Sequence, residues 1–307
     1  MTKGKISIIG AGSVGSTLAM RVVESGLADV VLLDVAKEMT SGKALDIADA
    51  SPLVGHERSI IGTDDYAEIS SSDVVVITAV FARKPGMTRE NLIARNAGIV
   101  KDVSGKIKAH APASILMVVT NPLDSMTYLA YKTCGFKRER VFGMAGVLDG
   151  GRFIQLIAEE LKVPRSSVKA LMLGSHGDTM VPVLSQTTVA GKPLEKSLSK
   201  DKIDAIIKRT RERGAEIVSL LGTGSAYYSP SAAAFKMIEA VMKDSKEVMP
   251  ASAILEGEYE LSDIAIGVPA RIGRRGIEEI VELKLTAEEK EALSRSAQTI
   301  KAAIKLL

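Results

Sequence analysis

The sequence predicts an α/β protein: an N-terminal doubly wound parallel sheet followed by an α+β domain. Two observations carry that prediction. Short β-branched runs alternate with longer amphipathic stretches through the first half, which is the rhythm of repeated βαβ units. A glycine-rich turn joins the first run to the first amphipathic stretch, as a strand-to-helix nucleotide loop requires.

Lys5–Ile9, Val30–Leu33, Val74–Thr78 and Ile115–Thr120 read as strands buried on both faces, because they are near-continuously apolar rather than alternating. Between the first two, Val14, Leu18 and Val22 recur every four residues and give a helix over 14–24 one apolar stripe. Gly26 is placed to end it. Further helices are expected over Lys37–Asp49 and Glu90–Lys108. After about residue 145 the rhythm loosens. A helix over Gly150–Lys162, strands over Lys169–Leu173 and Gln186–Val189, and a helix over Lys202–Leu221 are expected there. Ala265–Ile272 and Ile280–Leu285 then predict a hairpin turning at Gly273–Gly276. Thr286 and Glu289 form a capping-box pattern for a last helix over Ala287–Lys305. Two domains follow, 1–144 for a nucleotide and 145–307 for a substrate. With no Pro/Gly-rich linker between them, they should share a broad interface.

Composition narrows the partners. Of 307 residues, 46% are hydrophobic and 25% charged, and 40 Lys and Arg against 37 Asp and Glu leave a net charge of +3. No run of like charge forms a nucleic-acid arm, and no apolar run is long enough to span a bilayer. A small molecule is the expected partner. Cys134 is the only cysteine, which excludes an intrachain disulfide and thiol-rich metal sites. His56, His110 and His176 are far apart in sequence and lack metal-ligand spacing. The chain runs from Thr2 and Lys3 straight into a strand, without room for a signal segment. A protein of a reducing, intracellular setting without a metal centre is therefore expected.

The turn Gly10-Ala11-Gly12-Ser13-Val14-Gly15 leaves a strand and opens a helix. Gly10 permits the tight turn, Gly12 lets a pyrophosphate approach the backbone, and Gly15 lets helix and strand pack closely. The N–H groups of the helix start, at Ser13 and Val14, then face the anion. Asp34 ends the second strand, where a carboxylate accepts hydrogen bonds from both ribose hydroxyls. Its charge repels a 2′-phosphate, so NAD is expected over NADP unless Lys37 swings in to neutralise it.

Four strings carry a resemblance: 83–89 (RKPGMTR), 120–124 (TNPLD), 146–153 (GVLDGGRF) and 174–178 (GSHGD). They resemble, in order, the motifs of the lactate/malate dehydrogenase superfamily, and more narrowly its lactate-dehydrogenase-like malate dehydrogenase branch. The resemblance implies a Rossmann domain, NAD, and hydride transfer on a 2-hydroxy acid, malate by preference. It implies that His176 is the acid/base, a role suited to imidazole because its pKa lies near neutrality. Asp149 would hold the ring and stabilise the imidazolium. Taken without the resemblance, Asp149 reads equally as a helix N-cap.

Arg152 would grip the C1 carboxylate through two parallel hydrogen bonds. Arg89 would polarise the ketone oxygen. Arg83 would meet the distal carboxylate of a dicarboxylic acid and leave a buried charge unmatched with a monocarboxylic one. Asn121 would bind substrate near the nicotinamide, before a cis bond to Pro122, and Asn96 and Thr120 would join it at the cofactor. Thr223–Ala226 would line the remaining wall of the pocket. Val80-Phe81 departs from the family, which commonly has a glycine and an aliphatic residue there. The family also implies a homo-oligomer, dimer or tetramer. Lactate oxidation, a non-catalytic NAD-binding regulator and a metal-dependent NAD glycosidase remain as rival readings.

Overall fold

A computed structural model describes residues 4–81 and 89–307, without the side chains of residues 89–92. The first half runs β1 (Lys5–Ile9), α1 (Ser13–Glu24), β2 (Asp29–Leu33), α2 (Lys37–Asp49), α3 (Ser51–Val54), β3 (Ile60–Thr63), β4 (Val74–Ile77), α4 (Arg89–His110), β5 (Ile115–Val118), α5 (Leu123–Cys134) and β6 (Val141–Gly143). The second half begins with α6 (Gly146–Leu161), β7 (Val168–Lys169), β8 (Met172–Leu173), β9 (Val181–Pro182), β10 (Thr188–Val189) and β11 (Lys192–Pro193). It ends with α7 (Lys200–Leu221), α8 (Tyr228–Met242), β12 (Glu247–Glu256), β13 (Ser262–Gly273), β14 (Gly276–Ile280) and α9 (Ala287–Ile304).

One sheet runs through both halves in the order β14-β13-β12-β6-β5-β4-β1-β2-β3. From β3 to β6 every pairing is parallel. The order reverses between β1 and β4, which opens a crevice at the carboxyl ends of those strands. β12 then pairs antiparallel with β6, so the second half is welded to the first by backbone hydrogen bonds. That is the broad interface the missing linker predicts.

The parallel strands are apolar because helices cover both faces. Ile6, Ile8, Val74, Val76 and Leu116 are fully buried. So are Leu18 and Val22 of the predicted α1 stripe, each contributing roughly 1.5–3 kcal/mol relative to exposure. α1 ends as expected, with Gly26 left-handed at φ +69°. The last helix carries the predicted capping box, Thr286 and Glu289 each accepting from the other's backbone N–H.

Other expectations are corrected. The helix expected from Gly150 begins four residues earlier, so Asp149 lies inside its first turn and is not its N-cap. The strand expected over 169–173 is broken in two, because β7 pairs with β10 while β8 pairs with β9. The hairpin turn is where predicted, but a register shift after Arg271 brings the returning strand in at Gly276. Residues 281–285 are instead held by the Tyr259 hydroxyl, which donates to the Val281 carbonyl and accepts from the Leu283 N–H. α5, α8, β6 and β12 had no counterpart in the sequence reading.

Candidate active site

The glycine turn has the shape its sequence predicts. Gly10 sits at φ +111°, and a Cβ there would lie 2.5 Å from the Ala79 nitrogen. A Cβ on Gly15 would lie 1.9 Å from the Gly10 oxygen, so helix and strand touch backbone to backbone. A Cβ on Gly12 would meet nothing within 4 Å. α1 starts at Ser13, behind Gly12, with no side-chain cap, so the first-turn donors of Ser13, Val14 and Gly15 are unclaimed by one. An open space in front of uncapped helix donors fits a dinucleotide pyrophosphate.

Asp34 follows β2. One of its oxygens accepts from the Ala11 N–H at 2.7 Å and the other from the Ala36 N–H at 3.2 Å. The carboxylate is thereby fixed at the mouth of the turn. Lys37, the residue that could neutralise it, lies 3.2 Å from Asp64 instead. Lys43, which the sequence reading missed, donates to the Ala11 carbonyl at 2.5 Å and brings a cation to the same turn.

At the end of β4 the chain enters the segment carrying Arg83 and Arg89. Arg83 and the side chain of Arg89 lie outside the described residues. The entry is well anchored: Asn96 is 2% exposed, its Oδ1 accepts from the Phe81 N–H at 2.8 Å, and its Nδ2 donates to the Asn121 carbonyl at 2.9 Å. The Arg95 guanidinium stacks 4.6 Å above the Phe81 ring. Asn96 thus ties the loop entrance to the Asn121–Pro122 bond, which is cis. Thr120, 2% exposed, spends its hydroxyl on the Ala79 carbonyl at 2.7 Å. Asn121 itself is exposed.

In the second half, α6 and the loop after β8 bring three predicted residues together. His176 Nδ1 lies 2.8 Å from Asp149 Oδ2. Arg152 Nη1 lies 3.6 Å from the other oxygen of Asp149. Asp149 is 1% exposed, and its Oδ1, like Arg152 Nε, has no hydrogen-bond partner among the described residues. A largely enclosed guanidinium whose buried Nε has no partner among the described residues suits an incoming carboxylate, which would match the geometry and the charge.

Electrostatics follow from that packing. Burial opposes protonation of His176, but the charge and hydrogen bond of Asp149 outweigh it, and Asp124 adds to them. The ring is therefore held above the ordinary imidazole value. Burial draws Arg152 below the ordinary guanidinium value, against the pull of Asp149. Asp124 stands in the quoted TNPLD string without a role. It accepts from the His176 N–H at 2.9 Å and from the Ser252 hydroxyl at 2.7 Å. A cleft of about 1170 Å³, at the opposite end of the strands, is lined by Gly4, Asp73, Arg140 and Arg274 and holds none of these residues. Among the described residues no group of three potential ligands could hold a metal ion, and no helix is long and apolar enough to cross a membrane.

Residues 4–143 match the family model of the lactate/malate dehydrogenase NAD-binding domain, and residues 146–307 that of the lactate/malate dehydrogenase α/β C-terminal domain. The chain belongs to the lactate/malate dehydrogenase family. It is 52% identical over 303 residues to a malate dehydrogenase of Methanosarcina mazei, covering 99% of each chain. Its structure is similar to that of the apo malate dehydrogenase of Picrophilus torridus, with TM-score 0.97, 41% identity, and 99% and 97% of the two chains covered. It is similar also to the Cryptosporidium parvum lactate dehydrogenase complexed with lactic acid and NAD, with TM-score 0.96, 41% identity, and 100% and 98% covered. Both substrates are thus named on one fold, and the choice between them must come from side chains.

Proposed function

We propose that this chain is an NAD-dependent malate dehydrogenase, interconverting (S)-malate and oxaloacetate. The observation that carries the reading is the triplet in which buried Asp149 stands 2.8 Å from the His176 ring and 3.6 Å from the Arg152 guanidinium. Residues 1–144 bind the cofactor and residues 145–307 the substrate, which the two family matches support. Gly10, Gly12, Ser13, Val14 and Gly15 hold the pyrophosphate and Asp34 the adenosine ribose, while Asn96, Thr120 and Asn121 shape the far end of the site. NAD, when bound, accepts the hydride from C2 of malate.

The remaining work belongs to the protein. Arg152 grips the C1 carboxylate and so orients the carbinol carbon. His176 takes the hydroxyl proton on Nε2, and Asp149 stabilises the imidazolium that results. Arg89 stabilises the developing carbonyl oxygen and Arg83 pairs with the distal carboxylate. Oxaloacetate reduction runs the same steps backwards, with His176 returning its proton.

The test is NADH oxidation with oxaloacetate and with pyruvate, repeated with NADPH. A cation left without its partner when the site closes on substrate costs several kcal/mol, so kcat/KM should favour oxaloacetate by on the order of a thousandfold. NADH should be preferred to NADPH because Asp34 repels the extra phosphate. A preference for pyruvate would remove Arg83 from its role and make the chain a lactate dehydrogenase.

We infer further that it works in the cytoplasm as a homo-oligomer packed through helices. Met39 and Leu45 on α2, Leu53 and Val54 on α3 and Leu220 near the end of α7 are exposed apolar side chains, a pattern of surfaces that associate. Light scattering after size exclusion should give the mass of a dimer or tetramer; the mass of one chain would refute the association.

A further inference from the structure

Among the described residues, Asp124 is the one buried carboxylate at the catalytic loop that the proposed reaction leaves unused. It is 4% exposed, and its hydroxyl donor Ser252 is fully buried. The two belong to different halves of the chain: Asp124 opens α5, directly after the Asn121–Pro122 bond, while Ser252 lies on β12, opposite Gly143 of β6. That register is tight, since a Cβ on Gly143 would lie 3.1 Å from the Ser252 Cβ and 2.4 Å from Thr127 Oγ1. Asp124 therefore cannot turn away without losing both its hydrogen bonds.

We propose that Asp124 is a positioning residue for the reaction, pinning the main chain of His176 and placing a second buried negative charge behind its imidazole. The proposal rests on the acid/base reading of His176. A carboxylate that accepts one hydrogen bond from the nucleotide-binding half's neighbour β12 and one from the catalytic loop fixes where that loop sits relative to Asn121, the residue two positions before Pro122's successor Leu123. Loop position and proton affinity are thus governed by one side chain.

Among the described residues the charged groups facing this centre are few. His176 is faced by Asp149 and Arg152 from α6 and by Asp124 from α5. Asp124 is faced by Ser252 from β12, by the His176 N–H and ring, and by Asp149. Burial pushes the Asp124 carboxyl up to about 6, against its hydrogen bonds to Ser252 and the His176 N–H. Above that pH its charge favours the imidazolium; below it the proton it takes up removes that help.

Asp124→Asn tests this with little change of shape. The carboxamide oxygen can still accept from the His176 N–H, and its NH2 can donate to the Ser252 hydroxyl, so both contacts survive and only the charge is lost. The NMR titration of the His176 ring, identified by its absence in His176→Asn, should fall by about one pH unit. The acid limb of malate oxidation should fall with it. A ring titration that stays in place overturns the proposal, whatever the rates do. If the titration falls and the rate profile does not, the acid/base role of His176 is what fails, and the charge coupling stands. Should Asp124→Asn not fold, Ser252→Ala removes only the donor to Asp124. The carboxyl then protonates at a higher pH, and the His176 titration falls by a smaller amount; no movement there overturns the proposal equally.

Discussion

His176→Asn is expected to reduce kcat for malate oxidation by on the order of a thousandfold, the upper part of the range for loss of a general base, while NADH still binds and quenches as before. Asparagine is close to imidazole in reach but cannot take a proton at any working pH. The fold should survive, because the ring contributes one side-chain hydrogen bond, to Asp149 at 2.8 Å. Asp149→Asn is the sharper companion. It keeps the volume but offers an N–H or a neutral oxygen to Nδ1, so the ring is no longer locked with its free electron pair on Nε2.

The pH dependence has a definite sign. Asp149, outweighing burial, holds the ring above the ordinary imidazole value, so oxidation, which needs the neutral ring, should be lost as the pH falls through that raised value. Reduction, which needs the imidazolium, should be lost as the pH rises through it. A His176→Asn enzyme turning over at the parent rate would end the assignment.

The parallel half was legible because both faces of its strands are covered, and burial on both faces leaves an uninterrupted β-branched run in the sequence. Ile6–Ile9 and Val74–Ile77 are of this kind, all but Ser7 apolar and all buried. α5 was not legible for the opposite reason. Asp124, Ser125 and Thr127 are buried in it beside Leu123, Met126, Ala130 and Cys134, so its inward face mixes polar with apolar residues and the stripe is blurred. Ser125 aside, the hydrogen bonds of those residues explain their burial: Thr127 donates to the Leu123 carbonyl, and Asp124 accepts from His176 and Ser252. In α6, Gly146 hid the first turn, since glycine argues against helix until packing overrides it. Asp34 is singled out by its spacing after the glycine turn, and His176 and Arg152 by the strings around them; the structure brings the last two to Asp149. Asp124 and Ser252 acquire meaning only from a contact spanning 128 positions, which no local pattern encodes.

Arg152→Lys is expected to raise KM for oxaloacetate by on the order of a hundredfold, because a hydrogen bond between charged groups contributes about 1.5–3 kcal/mol and an ammonium cannot make the parallel pair. The guanidinium is held beside Asp149 and near Gly214, whose absent Cβ would sit 3.9 Å from Nη1. That leaves it room to lie flat against a carboxylate, whereas a lysine there would present one point of charge. Substrate held by one bond turns about it, so kcat should fall as well.

Arg152→Ala separates grip from charge. The Arg152 charge opposes protonation of His176, so its removal should raise the ring's titration and move the acid limb of malate oxidation upward, while Arg152→Lys, keeping a cation, should leave that limb nearly in place. Added guanidinium should restore part of the alanine variant's rate without restoring its KM fully, since the free ion supplies the fork but not its fixed position. A lysine variant with the parent KM would show that the C1 carboxylate is gripped elsewhere, and would leave Arg152 as a counter-charge to Asp149 alone.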